Sequence, residues 1–327
     1  MMAQLGGVNR NLALEAVRAT EAAAIASSSV MGRGDEELAD RSAAEALRTA
    51  LNGMYIDGRV VIGEGDEGHT SVLFTGEKVG TGEGAKIDFA LEPLECITSA
   101  AKGGPNALSI VAMAGRGQLF QAPPVYMNKI AVGGGLPDGI IDLDATPEEN
   151  LRAIADAKGC EVSDLVVCVL ERPRHEAIIS SIRETGARIK LIPDGDVSAV
   201  IATSQQQSGI DVYIGIGGAL EGVLGAVALK CIGGQFQGRL VFRSPEERKI
   251  AHDMDIEDLD RKYALDDLVK GNVMFAATGV TDGALLRGVQ RVGSYAQTHS
   301  LVMNSQSGTV RFVEAHHDLD RAGILEL

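Results

Sequence analysis

Between residues 164 and 231 the chain alternates continuous apolar runs with helical segments, and this alternation limits the possible folds more than any other feature. Leu165–Leu170, Ile189–Ile192 and Val212–Ile216 read as buried strands. Glu176–Thr185, with Ile178, Ile179 and Ile182 on one face, Val197–Thr203 and Leu220–Cys231 read as the helices between and after them. Strands without polar alternation, joined by helices, predict a parallel sheet covered on both faces. The style of the chain changes near residues 150–160 with no flexible linker, so the expected division is 11–155 and 156–327, tightly packed.

The first part predicts an α+β arrangement with a mixed or antiparallel sheet. After a frayed leader over 1–10, a helix is expected from Asn11 to about Val30. Asp35 is placed to cap a second helix, with Asp40 near its start. A short strand, Val60–Ile62, ends at Gly63-Glu64-Gly65. A second, Ile87–Leu91, ends at Glu92-Pro93-Leu94-Glu95, where Pro93 cannot donate to a ladder and is expected to stop it. Further strands are expected at Ala107–Met113, Asn272–Ala277, His299–Met303 and Thr309–Phe312, with a solvated helical excursion over 252–267.

Composition narrows the function. Of 327 residues 40 are glycine, about 12% against a usual 7%, and no Gly-X-Y period runs through them, so they belong to turns, caps and ligand loops. Thirty basic against 45 acidic residues leave a net charge of −15, which disfavours nucleic acid and anionic membranes as partners. Trp is absent and aromatics make up 4%, too few for a base-stacking surface. Cys96, Cys160, Cys168 and Cys231 have no CxxC spacing and read as thiols of a reducing compartment. With no long apolar run, a soluble cytoplasmic protein is expected.

The chemistry-bearing feature is a set of carboxylates beside glycines at element ends: Glu64, Glu92, Glu95, Asp194, Asp196, Glu221 and Asp282. Either they are solvated turn residues, or several converge and require a hard divalent cation to offset their repulsion. Arg172-Pro173-Arg174-His175, between a strand and a helix, suits phosphate, and Tyr126 and Lys129 add a phenol and an ammonium. Gly215-Ile216-Gly217-Gly218 lies between a strand and a helix but lacks both the Walker and the GxGxxG spacing. Gly80–Gly84 precedes its strand, the wrong side for a dinucleotide loop. No HExxH or GxSxG sequence occurs.

From Leu12 to Glu314 these blocks resemble the class II fructose-1,6-bisphosphatases, including the bifunctional fructose/sedoheptulose bisphosphatases, of the lithium-sensitive sugar and inositol phosphatase superfamily. The resemblance rests on Gly32-Arg33-Gly34-Asp35 with Ala39-Asp40, Val61–Gly65, Gly76–Gly80, Tyr126–Lys129 and Arg172–His175. It continues through Pro193-Asp194-Gly195-Asp196-Val197, Gly215–Gly218, Glu221-Gly222 and Thr278–Gly283. It implies a layered αβαβα sandwich and hydrolysis of the 1-phosphate of a sugar bisphosphate with Mg²⁺ or Mn²⁺, in a homodimer or homotetramer. The first part would be the metal-bearing catalytic domain and the second the sugar-phosphate domain. Asp40, Glu64, Glu92, Glu95 and Glu221 would be the metal ligands, with Glu64, Glu92, Glu95 and Thr98 serving catalysis. Tyr126, Arg172, Pro173, Arg174, Asp194, Gly195, Asp196 and Gly218 would hold the sugar and its second phosphate.

The chain departs from the family at the chemistry. Where the family reads Asp-Pro-Ile/Leu-Asp/Glu-Gly-Thr, this chain reads Glu92-Pro93-Leu94-Glu95-Cys96-Ile97. Cys96 replaces a Gly, Ile97 replaces the Thr that orients the attacking water, and Gly68 stands where relatives carry a second Asp. Three readings follow: a fructose-1,6-bisphosphatase, a phosphatase for another sugar or cyclitol phosphate, and a paralogue that binds sugar phosphate without turnover.

Overall fold

The computed structural model describes residues 12–65 and 72–321. In chain order the elements up to residue 119 are α1 (Leu12–Ser28), α2 (Glu36–Asn52), β1 (Ile56–Ile62), β2 (Lys78–Val79), β3 (Ala85–Glu95), α3 (Ile97–Ala101) and β4 (Leu108–Gly115). Next come β5 (Tyr126–Val132), α4 (Pro147–Lys158), β6 (Val166–Leu170), α5 (Glu176–Glu184), β7 (Arg188–Ile192), α6 (Asp196–Ala202), β8 (Val212–Gly218) and α7 (Ala219–Ile232). The rest are β9 (Gln235–Val241), α8 (Pro245–Asp253), β10 (Tyr263–Ala264), α9 (Leu265–Leu268), β11 (Val273–Gly279), β12 (Gln290–Val292), β13 (Tyr295–Asn304) and β14 (Thr309–Asp318).

The chain forms two compact units, Met1–Leu119 with Gly271–Leu327 and Phe120–Lys270. The sequence reading put a single boundary at 155/156. That point lies between α4 and β6, whose Leu151, Ile154, Val167 and Val169 share one core cluster, so no break opens there.

In the first unit eight strands form a mixed sheet. β2-β1-β3-β4-β11-β13 are neighbours in that order, and β13 also pairs with β12 and β14. Only β1 and β3 run parallel. Asp35 caps α2 as its sequence suggested, accepting from the Leu38 amide at 2.9 Å. α1 and α2 pack through small side chains, Ala16, Ala19, Ala23, Ala39 and Ala43, onto a core with Val60, Phe89, Met113 and Ala276. β3 does not stop at Pro93: Glu92 pairs with Ile110 and Glu95 with Leu108, and a register shift between them accommodates the missing amide. The bulge carries the strand, with both of its acids, two residues further than the proline rule allowed.

The second unit is a six-stranded sheet, β10-β9-β5-β8-β6-β7. β6 is parallel to β7 and β8, as expected, but β5, β9 and β10 pair antiparallel, so this sheet too is mixed. Ile130 joins Ile154, Val167, Ile179 and Ile182 in the cluster under α4 and α5. Its neighbour Lys129 points to the other face, where a Cβ at Gly222 of α7 would come within 3.2 Å of Lys129 Cδ and 2.7 Å of Met127 Sδ. The sheet is thus covered on both faces, and Gly222 lets α7 rest on β5. The excursion over 252–267 is helical only at its two ends, in the last turn of α8 and in α9. The four cysteines form no disulfide, and no described helix is long and apolar enough to cross a membrane.

In the first unit, a buried chain of hydroxyls ties α1 to the sheet. Thr20 donates to the Val17 carbonyl, so the 2.7 Å contact makes Thr278 its donor and leaves Thr278 to accept from Ser300 at 2.8 Å. Thr278→Val leaves both outer hydroxyls a partner short and is expected to cost about 1–3 kcal/mol. A urea midpoint equal to that of the wild type would contradict this ordering.

Candidate functional site

Each unit carries some of the expected site residues. In the first, Asp40 projects from α2 and Glu64 from the turn after β1, both half-buried. Their carboxyls are hydrogen-bonded to each other, so one must hold a proton. Desolvation, then the Asp40 charge, pushes Glu64 up to about 8; burial raises Asp40 as well. Asp40 Oδ1 is buried with no hydrogen-bond partner among the described residues. Glu92 and Glu95 lie on either side of the bulge that ends β3, Glu95 buried and Glu92 half-buried. Among the described residues no three or more His, Cys, Asp or Glu side chains are gathered as a ready metal cage.

Beyond the bulge the departures at 96 and 97 acquire a shape. Cys96 has φ 65°, ψ 47°, the left-handed region that glycine enters without penalty, and it stands at the N-cap position of α3. Ile97 opens α3 and packs against the main core cluster, while Thr98 is exposed. Gly68 lies outside the described residues.

In the second unit the expected residues gather at one end of the sheet. β6, β7 and β8 end there, β5 begins there, and the register sets Tyr126 opposite both Gly218 and Val241. β7 and β8 flank β6 on opposite sides, so the turns after all three strands lie side by side at this end. The segment after β6 is a 3₁₀ turn, Pro173–His175. It grips one residue of β8: Arg174 Nε donates to the Ile216 carbonyl at 2.9 Å, and the Ile216 amide donates to His175 Nε2 at 2.8 Å. Because Nε2 accepts, Nδ1 must carry the proton in its 2.7 Å contact with the Leu170 carbonyl. Burial, with the Arg174 charge, lowers the His175 pKa and keeps the ring neutral. The Arg174 guanidinium lies 4.8 Å from the Tyr126 ring centroid. Arg172, by contrast, lines a groove of about 500 Å³ beside α5, with Glu176, Ser180 and Arg183.

The loop after β7 brings Asp194, raised by burial, then Gly195 at φ 89°, then Asp196 as the first residue of α6. Asp196 pairs with the buried ammonium of Lys129, which also donates to the Gly218 carbonyl at 3.0 Å. Glu221 folds back over the end of β8, its pKa raised by desolvation and then by the Asp196 charge. A Cβ at Gly217 would meet Asp196 Oδ2, and one at Gly218 would meet Glu221 Oε2, so a side chain at either position would displace that carboxylate.

The structure thus joins Asp40 with Glu64, Arg174 with Tyr126, and Asp196, Gly218 and Glu221 around Lys129. The sequence offered Lys129 as an ammonium beside Tyr126 but not its buried pairing with Asp196, and it passed over Arg243, whose guanidinium lies 4.3 Å from the Tyr126 centroid. The signal for Arg243 was the strand before it, residues 235–241, whose alternating burial marks a half-buried strand.

The family model described as "Bacterial fructose-1,6-bisphosphatase, glpX-encoded" matches residues 10–317. The D-fructose 1,6-bisphosphatase class 2/sedoheptulose 1,7-bisphosphatase of Synechococcus sp. (strain JA-3-3Ab) is 41% identical over 338 residues, covering 96% of this chain and 97% of its own. The fructose-1,6-bisphosphatase 1 class 2 of Escherichia coli K12 is 41% identical over 328 residues, with the same coverage.

The Asp40–Glu64 pair makes stability depend on pH. In chelator-treated protein the folded chain keeps the Glu64 proton up to about pH 8, while the unfolded chain releases it near 4.5. The folded state binds more protons between those values, so stability falls as pH rises through that window. Glu64→Gln is expected to flatten the slope in a series of melting curves; a wild-type slope no steeper than that of the variant would refute the shared proton.

Proposed function

The chain belongs to the bacterial, glpX-encoded fructose-1,6-bisphosphatase family, and we propose that it hydrolyses the 1-phosphate of fructose 1,6-bisphosphate, with sedoheptulose 1,7-bisphosphate as a second substrate. The observation that carries this reading is a match to class 2 enzymes that runs through nearly the whole chain, acidic blocks and arginine turn included.

In this proposal the second unit holds the substrate. Arg174, beside Tyr126 and with Arg172 nearby in sequence, takes the distal phosphate through charge-assisted bonds. Asp194, Gly195, Asp196 and Gly218 line the end of the sheet where sugar hydroxyls would be read, and Pro173 stiffens the turn that carries the arginines. The neutral His175 orients Arg174 through Ile216 without adding charge.

The first unit supplies acids. The proton shared by Asp40 and Glu64 and the partnerless Oδ1 of Asp40 fit a hard divalent cation, Mg²⁺ or Mn²⁺, with Glu92 and Glu95 as further oxygen donors. Glu221 is the fifth ligand that the resemblance implies, and it belongs to the second unit. When bound, such a cation draws charge from the phosphoryl oxygens. Hydrolysis breaks the bond between phosphorus and the sugar oxygen; water gives its hydroxyl to phosphorus and a proton to the departing sugar. Ile97 can neither give nor take that proton, and Thr98 sits on the exposed side of α3, so orienting the water falls to the carboxylates. A homodimer or homotetramer in the cytoplasm belongs to the same proposal.

The test is phosphate release from fructose 1,6-bisphosphate with Mg²⁺ and then Mn²⁺. One equivalent of phosphate and fructose 6-phosphate are expected. Asp40→Asn should lower kcat/KM by about 10²-fold or more, in line with the loss of an electrostatic transition-state contact. Ile97→Thr should raise kcat, because it returns a hydroxyl beside Glu95. Turnover seen only after Ile97→Thr and Gly68→Asp together would replace this reading with that of a sugar-phosphate-binding paralogue.

A further inference from the structure

Arg243 stands two residues beyond Val241, the residue of β9 paired with Tyr126. Its guanidinium carbon lies 4.3 Å from the Tyr126 ring centroid, and that of Arg174 lies 4.8 Å from the same centroid. Two like charges at one phenol ring repel, and the π face offsets only part of that repulsion. Each arginine is held there by its own device. Arg174 is fixed through Nε on the Ile216 carbonyl, and its terminal nitrogens make no hydrogen bond among the described residues. Arg243 is fixed by Glu247, whose Oε1 accepts from Nε at 2.9 Å and Nη2 at 2.6 Å while Oε2 accepts from the Arg243 amide at 2.6 Å. Its Nη1 has no partner among the described residues, and the side chain is 55% exposed.

A capping ion pair on α8 would explain Arg243 with Glu247. It does not explain why Arg174, carried by a turn after β6, is set against the same ring. Two guanidiniums and one carboxylate leave positive charge beside Tyr126, with three terminal nitrogens unused. That is the complement of a tetrahedral dianion, since guanidinium forks match phosphate oxygens.

We propose that Arg243 is a specificity-determining residue that, with Arg174, holds the distal phosphate of the sugar bisphosphate beside the Tyr126 ring. This rests on the assignment of Tyr126 and Arg174 to the distal phosphate. Glu247 sets the fork of Arg243 in place, and the half-exposed side chain admits the ligand without displacing core.

The experiment compares Arg243→Met and Arg243→Lys with wild type on two substrates, fructose 1,6-bisphosphate and fructose 1-phosphate, which lacks the distal group. Arg243→Met is expected to raise KM for the bisphosphate roughly tenfold to hundredfold with kcat within about threefold, and to leave kcat/KM for fructose 1-phosphate within about twofold. Arg243→Lys, which keeps the charge without the fork, should fall between. An unchanged bisphosphate KM in Arg243→Met, or an equal loss on both substrates, would overturn the proposal. Arg174→Met separates the two claims: an unchanged KM there defeats the distal-pocket assignment itself. Should the wild type turn over neither substrate, calorimetric binding of fructose 6-phosphate decides. A tenfold weaker Kd in Arg243→Met supports the role, and an equal Kd removes it.

Discussion

A single ammonium organises one end of the sheet in the second unit. Lys129 lies in the middle of the sheet and is 1% exposed, so its charge must be met inside the protein. It is met by the Asp196 carboxylate at the start of α6 and by the Gly218 carbonyl at the end of β8, and it also lowers the cost of charge on Glu221. One side chain therefore fixes the loop after β7 and the strand-to-helix turn after β8. Removing one partner of such a buried pair leaves an uncompensated charge, which is far more costly than the net worth of the pair. Gly217 and Gly218 belong to the same arrangement, because any side chain there would occupy the space of the Asp196 and Glu221 carboxylates.

The acids of the first unit show the opposite solution. Asp40 and Glu64 lie together with no lysine or arginine bonded to them among the described residues, and burial raises the pKa of both carboxyls. Asp88, by contrast, has its charge met inside the unit by Arg59 and Arg116. The two units thus differ less in acid content than in what neutralises the acids.

The altered box after β3 is a local exchange of chemistry for packing. Cys96 keeps the left-handed backbone that a glycine would supply, at a cost of roughly 1–2 kcal/mol for an L residue. Ile97 gives α3 an apolar first residue that packs on the core under α1 and α2.

Periodicity determined most of the elements. The Asp35 cap, the apolar strands β6 and β8, the helices α5 and α7, and the acids at strand ends were all legible because each depends on a few neighbouring residues. The bulge at Pro93 was not, since it exists only against β4, which lets Glu92 and Glu95 pair out of step. The division between the units escaped the sequence because the second unit begins with a strand, β5, that pairs with β8 some ninety residues later. Side-chain neighbours followed the same rule. The sequence by itself determined which acids and arginines stand at the ends of elements. Only the tertiary structure decided that Lys129 neutralises Asp196, that Asp40 shares a proton with Glu64, and that Arg243 meets Arg174 at one ring, because charges far apart in the chain are paired by strand register and burial.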